Sequence, residues 1–151
     1  MGENGLTGGC QCGAVRYRLD APPNDANICH CRMCQKATGS PYGAFASLRR
    51  DKLTFTRGAP KFYQSSAIAE RGFCADCGTP LTYSGVDSPR VSVTICSFDD
   101  PNAVAPTSQL DAEFAVAWIS DCLTKPNTQV SDWLKSKQLT DVGNRQHPDH
   151  D

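Results

Sequence analysis

Nine cysteines in 151 residues, seven of them packed into three short runs, constrain this chain more than any other feature. The runs are Cys10-Gln-Cys12, Cys29-His-Cys31-Arg-Met-Cys34 and Cys74-Ala-Asp-Cys77-Gly78. The opening Met1–Leu6 stretch is polar and glycine-rich, and no apolar run approaches the ~18 residues that cross a bilayer. A cytoplasmic location, with no membrane contact, is therefore expected. In a reducing compartment disulfides do not persist, so clustered thiols point to metal binding.

Each spacing has a use. Residues two apart in an extended segment point to the same side, so Cys10 and Cys12 can present both sulfurs to one ion. Zn–S bonds of ~2.3 Å in a tetrahedron require sulfurs about 3.8 Å apart, which that geometry allows. In Cys74-Ala-Asp-Cys77-Gly78 the glycine can take a positive φ, and backbone N–H groups inside the tight loop can point at the thiolates. A closed structural zinc site takes four ligands, whereas a catalytic one keeps three and an open position. Seven clustered cysteines divide most simply into Cys10, Cys12, Cys74 and Cys77 in one site and Cys29, Cys31 and Cys34 in another. Spacing alone also allows Cys31 and Cys34 to complete the closed site. Cys96, in the apolar run Val91–Cys96, reads as a packed core thiol, and Cys122 lies outside the clusters. His30 reads as a packing or solvent-facing residue whose ring points away from the ion its neighbours share. Arg32 and Arg71 flank thiols whose charge they can balance.

The length suits one domain. Short β-type runs recur about every ten residues between turn signals, as in an all-β domain. Ala14–Leu19 alternates, with Val15, Tyr17 and Leu19 on one face and Arg16 and Arg18 on the other. Further strands are expected at 42–48, 53–56, 61–64, 68–73, 81–83, 91–96 and 114–119. A helical turn is expected after Cys31, ended by Gly39. A second helix is expected over Val130–Leu139, capped by Ser131, with Trp133 and Leu134 facing the body. Residues 1–61 hold nine Lys/Arg against four Asp/Glu, and residues 62–151 hold six against twelve. This imbalance reads either as solvated surface or as a mildly cationic face near the first two clusters, suited to an anionic small molecule. It lacks the dense basic stripe of nucleic-acid binding.

Taken together, Gly9-Cys-Gln-Cys-Gly13, Cys29-His-Cys-Arg-Met-Cys-Gln-Lys-Ala-Thr-Gly39, Tyr63-Gln-Ser-Ser66 and Arg71-Gly-Phe-Cys-Ala-Asp-Cys-Gly-Thr-Pro-Leu81 are distinctive. In order and spacing this set resembles the glutathione-dependent formaldehyde-activating (GFA) family, which also includes centromere protein V. The likeness covers roughly residues 6–120, thins after Phe98 and does not reach Val130–Asp151. It implies a mainly β fold, a zinc β-tent of twisted antiparallel sheets, with a short C-terminal helical extension. The expected organisation is a GFA-like zinc-binding domain over 4–125 and an extension over 126–151. The resemblance also implies two zinc ions: a structural one on Cys10, Cys12, Cys74 and Cys77, and an active-site one on Cys29, Cys31 and Cys34.

The implied activity is that of a zinc-dependent carbon–sulfur lyase acting on a small thiol–aldehyde adduct, with S-hydroxymethylglutathione as the model and glutathione as the thiol. Three thiolates donate strongly to an ion, which favours capture of a thiol over polarisation of an aldehyde oxygen. The alternative is a non-enzymatic zinc-binding interaction module that presents Trp133 of the extension to a partner. Redox sensing through the open thiol site is a third reading.

Overall fold

The structure, a computed structural model, describes residues 5–150. Ten strands are found among these residues, in two sheets. The smaller sheet has the order β1 (Leu6–Gly9), β2 (Arg16–Leu19), β5 (Leu53–Arg57), all antiparallel. The larger sheet starts with β10 (Ser108–Leu110), β3 (Asp25–Cys29), β4 (Gly43–Arg49) and β9 (Arg90–Thr94). It continues through β8 (Pro80–Gly85) and β7 (Ala69–Phe73) to β6 (Lys61–Ser66). Its pairs are antiparallel except β10 with β3, which is parallel. The mainly β architecture inferred from the sequence is therefore present. Two short helices accompany it: α1 (Arg32–Thr38), which stops at Gly39, and α2 (Val130–Ser136). No helix among the described residues is long and apolar enough to cross a membrane.

The core lies where the two sheets meet. Val15, Tyr17 and Leu19 of the small sheet pack with Ala46, Leu48, Leu81, Val91, Val93, Ile95 and Phe98. Three of the unexpected strands escaped notice for identifiable reasons. Leu6–Gly9 is half glycine, Asp25–Cys29 carries only one large apolar side chain, and Ser108–Leu110 is an exposed three-residue edge. The 114–119 segment, expected as a strand, is instead a 3-10 turn at Ala112–Phe114 followed by a second 3-10 stretch at Ile119–Thr124. The Phe114 carbonyl accepts from the Gln35 side chain instead of entering a ladder.

Arg16 departs from the alternation argument. It sits on the face opposite Tyr17 yet is only 2% exposed, because Asp99 meets it there in a bidentate pair at 2.7 and 2.6 Å. The Thr7 hydroxyl donates to the same carboxylate at 2.6 Å. Beside it, the Tyr17 hydroxyl and Ser97 Oγ lie 2.7 Å apart, and Gly8 bridges to Phe98. Sequence positions 7, 16–17 and 97–99 are thus bound into one polar seam under the small sheet.

Other local expectations also change. Cys96 is exposed: the chain leaves β9 in a 3-10 turn over Ile95–Ser97 that rotates Ile95 and Ser97 inward and Cys96 out. The cap position of α2 is Gln129, not Ser131, and no side chain caps it. Trp133 stays 50% exposed, since α2 is a single seven-residue stretch in a segment with no buried residues.

Burial opposes the charge on Asp99, but the Arg16 guanidinium and Thr7 hydroxyl outweigh it and hold the carboxyl below its ordinary range. A carboxylate depressed on folding contributes its stability fully above the ordinary aspartate pKa, and that contribution is lost as pH falls through the folded value. Asp99→Asn, which removes the carboxylate that meets the buried guanidinium, is expected to lower stability by about 3 kcal/mol near neutrality. Denaturant melts against pH should show the gap between wild type and variant shrinking on acidification; an unchanged gap would refute the role of this pair.

Candidate metal centres

The β1–β2 hairpin turn carries Cys10 and Cys12, and the β7–β8 connection carries Cys74 and Cys77, so one group of thiols is drawn from both sheets. These four sulfurs lie within 4.8 Å of one another, with Cys10 to Cys12 at 3.6 Å and Cys12 to Cys74 at 3.8 Å. Such separations match the edges of a tetrahedron of thiolates around an ion bonded at ~2.3 Å. The donor set therefore fits a metal ion. The turn at 74–79 is closed by Gly78 N–H donating to the Cys74 carbonyl at 2.9 Å and Cys74 N–H donating to the Thr79 carbonyl at 3.0 Å. Gly78 takes φ +77° there, as its place after the second cysteine requires. The Val15 N–H donates to Cys10 Sγ at 3.2 Å.

Thr79, which sequence reasoning passed over, joins the two cysteine loops. Its Oγ1 accepts from the Gln11 N–H at 3.1 Å and shares a hydrogen bond of 3.1 Å with Cys77 Sγ. Burial raises the Cys77 pKa, but the Thr79 hydroxyl and N–H more than compensate, bringing the thiol down to about 6. At Cys12 the Ala14 N–H favours the thiolate, yet hydrogen bonds with the thiols of Cys77, Cys10 and Cys74 push it up to about 12. Its position two residues beyond Cys77 was the available signal for Thr79.

The second group is local. Cys29 ends β3, Cys31 precedes α1 at its cap position, and Cys34 lies in the first turn of α1; their sulfurs are also within 4.8 Å of one another. The Cys34 N–H donates to Cys31 Sγ at 3.4 Å. Burial resists ionisation of Cys31, but the N–H groups of Cys34 and Met33 and the adjacent thiols lower its pKa. Burial foremost, with repulsion from Cys34, pushes Cys29 up to about 12. This donor set also fits an ion, with three protein sulfurs.

His30 is buried with its ring edge-on to Tyr42. Its N–H donates to the Leu110 carbonyl at 3.0 Å, and its Nε2 faces Gln109 Oε1 at 3.3 Å. Gln35 Nε2 donates both to the His30 carbonyl, at 2.8 Å, and to the Phe114 carbonyl. The thiol loop is thus held in place by β10 and by the chain just beyond it. His30 Nδ1 has no hydrogen-bond partner among the described residues.

The two arginines diverge. Arg32 reaches Gln35, whereas Arg71 donates to Cys34 Sγ at 3.5 Å with its guanidinium 4.8 Å above the Tyr83 ring. Arg71 also lines a cleft of about 480 Å³ between α1 and strands β6 to β8, bordered by Met33, Lys36, Phe45 and Tyr63. Lys36 and Met33 were not singled out from the sequence, although positions 33, 36 and 37 share one face of α1 by helical spacing. Cys96 and Cys122 join neither thiol group.

A family model described as glutathione-dependent formaldehyde-activating enzyme matches residues 5–113. An uncharacterized lyase of Schizosaccharomyces pombe is 32% identical over 77 residues, 51% of this chain and 56% of the relative. A putative glutathione-dependent formaldehyde-activating enzyme of Halomonas elongata is 37% identical over 86 residues, 50% of this chain and 54% of the relative. The chain thus spans about half the length of these curated relatives. Among solved structures, a Rhodobacter sphaeroides protein aligns with TM-score 0.54 at 25% identity, over 68% of this chain and 98% of that one.

Thiolate, not thiol, reacts with iodoacetamide. In metal-free protein Cys77 is expected to alkylate with an apparent pKa near 6, and Cys12 only in strong alkali, near 12. Thr79→Ala should raise the Cys77 value, read by peptide mass spectrometry across a pH series. Equal titration of Cys77 in both proteins would remove Thr79 from the picture.

Proposed function

Because the chain belongs to the glutathione-dependent formaldehyde-activating family, we propose that it is a carbon–sulfur lyase acting on the adduct of a small thiol and an aldehyde. The observation that carries this reading is a three-thiol group linked to a cleft by Arg71, which donates to Cys34 Sγ and, with Lys36, supplies the cationic side chains of the cleft wall. Glutathione, an anionic thiol, suits both halves of that arrangement, and the Halomonas elongata relative is named for glutathione dependence. The metal is assigned as zinc, for which thiolate sets are the usual hosts. Cys10, Cys12, Cys74 and Cys77 would hold a structural ion, and Cys29, Cys31 and Cys34 a second one. The second ion, when bound, supplies Lewis acidity at a position that three protein ligands leave open.

The chain's own residues divide the remaining work. Lys36 at the rim attracts a substrate carboxylate, and Met33, Phe45 and Phe73 give the cleft an apolar wall that limits water. Arg71, fixed between Cys34 Sγ and the Tyr83 ring, places positive charge where thiolates gather. Tyr63 and Ser65 bring a hydroxyl each to the opposite wall. In the synthetic direction the thiol loses its S–H proton, and the sulfur lone pair forms the C–S bond to the aldehyde carbon. The C=O π pair moves to oxygen, which takes a proton to give the hydroxymethyl group. The lyase direction reverses each step.

The test is exchange of formaldehyde between free and glutathione-bound pools, followed by NMR against protein-free controls, since thiols add to formaldehyde unaided. Cys34→Ser should reduce exchange to the protein-free rate, and Lys36→Ala should raise KM about tenfold by loss of a charged contact. Elemental analysis should give two zinc equivalents, falling to one in Cys74→Ser. Wild-type exchange no faster than the control would dispose of this activity.

A second reading, a zinc-binding interaction module, draws on the exposed Trp118, Leu123 and Trp133, of which Leu123 is 98% exposed. It requires a protein partner that is lost when residues 130–151 are removed while formaldehyde exchange is absent in the full chain.

A further inference from the structure

The end of the chain lies beyond the matched segment 5–113, and the mechanism above makes no use of it. Most of residues 126–150 are exposed, but the tail returns to one place with several specific contacts. The His147 N–H donates to the Gln11 carbonyl at 2.8 Å. The Arg57 guanidinium donates from one Nη1 to both the Gly13 carbonyl and His147 Nε2, each at 3.2 Å. Since Nε2 accepts, the ring proton sits on Nδ1, which donates to the Pro148 carbonyl at 2.5 Å. The imidazole rests directly on Gly13, which has φ +76°; a Cβ at that position would fall inside the ring. Gln146, His147 and Asp149 close one side of a cavity of about 110 Å³ whose other walls include Cys10, Thr79 and Asp99.

The two residues gripped by the tail, Gln11 and Gly13, flank Cys12. Among the four thiols of its centre, Cys12 is the exposed one. It is therefore the sulfur that an incoming chelator or competing thiol reaches first, and its departure requires the 11–13 backbone to shift. That shift breaks the contacts made by His147. We propose that residues 146–149 form a clasp on the Cys12 loop that slows exchange of the ion held by Cys10, Cys12, Cys74 and Cys77. The clasp rests on the reading of that group as a metal centre.

The experiment uses the Cys29→Ser chain, so that the four-thiol centre is the remaining clustered site, loaded with zinc and challenged with a chromophoric chelator. Release from the His147→Ala form is expected to be about five- to tenfold faster, the scale of one or two lost hydrogen bonds. Truncation after Gln138, which also removes the backbone bond to Gln11, should be at least as fast. In metal-free wild-type chain, hydrogen exchange at Gly13 and iodoacetamide labelling of Cys12 should both quicken on the same changes. Equal release and equal labelling in all three proteins would overturn the clasp. Failure of the Cys29→Ser chain to retain any zinc would instead overturn the metal reading of the centre, with the metal-free measurements still deciding whether the tail grips the loop.

Discussion

Four sulfurs from two hairpins, held within 4.8 Å of one another, set the terms for everything else in this fold. Thiolates at that separation repel strongly, and neutral thiols there gain little, so the arrangement is economical only around a cation. The β1–β2 turn belongs to the small sheet and the β7–β8 turn to the large one, so the cation would join the two sheets at the edge of their shared core. The Arg16–Asp99 pair lies beside the same cysteine loop, since Arg16 pairs with Gly9 at the end of β1, and it ties β2 to the chain beyond β9 through side chains. Tyr17, Leu19 and Phe98 pack in the core that the two sheets share.

The second thiol group differs in kind. Its three donors lie within six residues, carried by a strand end and one helical turn, and Arg71 reaches it from the neighbouring β7. Because its geometry is local, the surrounding structure has another task, which is to hold the loop against the cleft. Gln35, Gln109 and the Leu110 carbonyl do so from behind. The cleft side is left to Met33, Lys36, Phe45 and Arg71. One face is locked by hydrogen bonds and the other is open to a ligand, a division suited to chemistry on small molecules.

Cysteine spacing marks the seven clustered thiols, because ligand chemistry demands short, repeated intervals. Their division into four and three rests on counting and on the family resemblance, and is matched by the two groups the fold brings together. Period-two alternation gave β2, and short β-type runs gave β4 to β9. It failed where burial was decided by a distant partner. Arg16 is inside because Asp99, 83 residues away, meets it. Cys96 is outside, although its run is apolar, because the chain leaves β9 after Thr94 in a 3-10 turn that buries Ile95 and Ser97 and leaves Cys96 facing out. Thr79 and Lys36 act through neighbours that become visible only once the loop and helix are folded. The β1 and β10 strands owe their pairing to partners, since their own residues have little strand preference.

The two thiol groups also differ in how far apart along the chain their members lie. Cys12 and Cys74 are separated by 62 residues, so bringing them together closes a long loop and waits on both hairpins. Cys29, Cys31 and Cys34 form a chelate that a nascent chain presents as soon as those few residues emerge. A metal ion met during synthesis therefore finds the local trio first, and the long-range quartet assembles only after most of the β structure has been made. On the two-metal reading proposed above, loading order follows from ligand spacing, with the local trio available early and the centre that joins the sheets completed late.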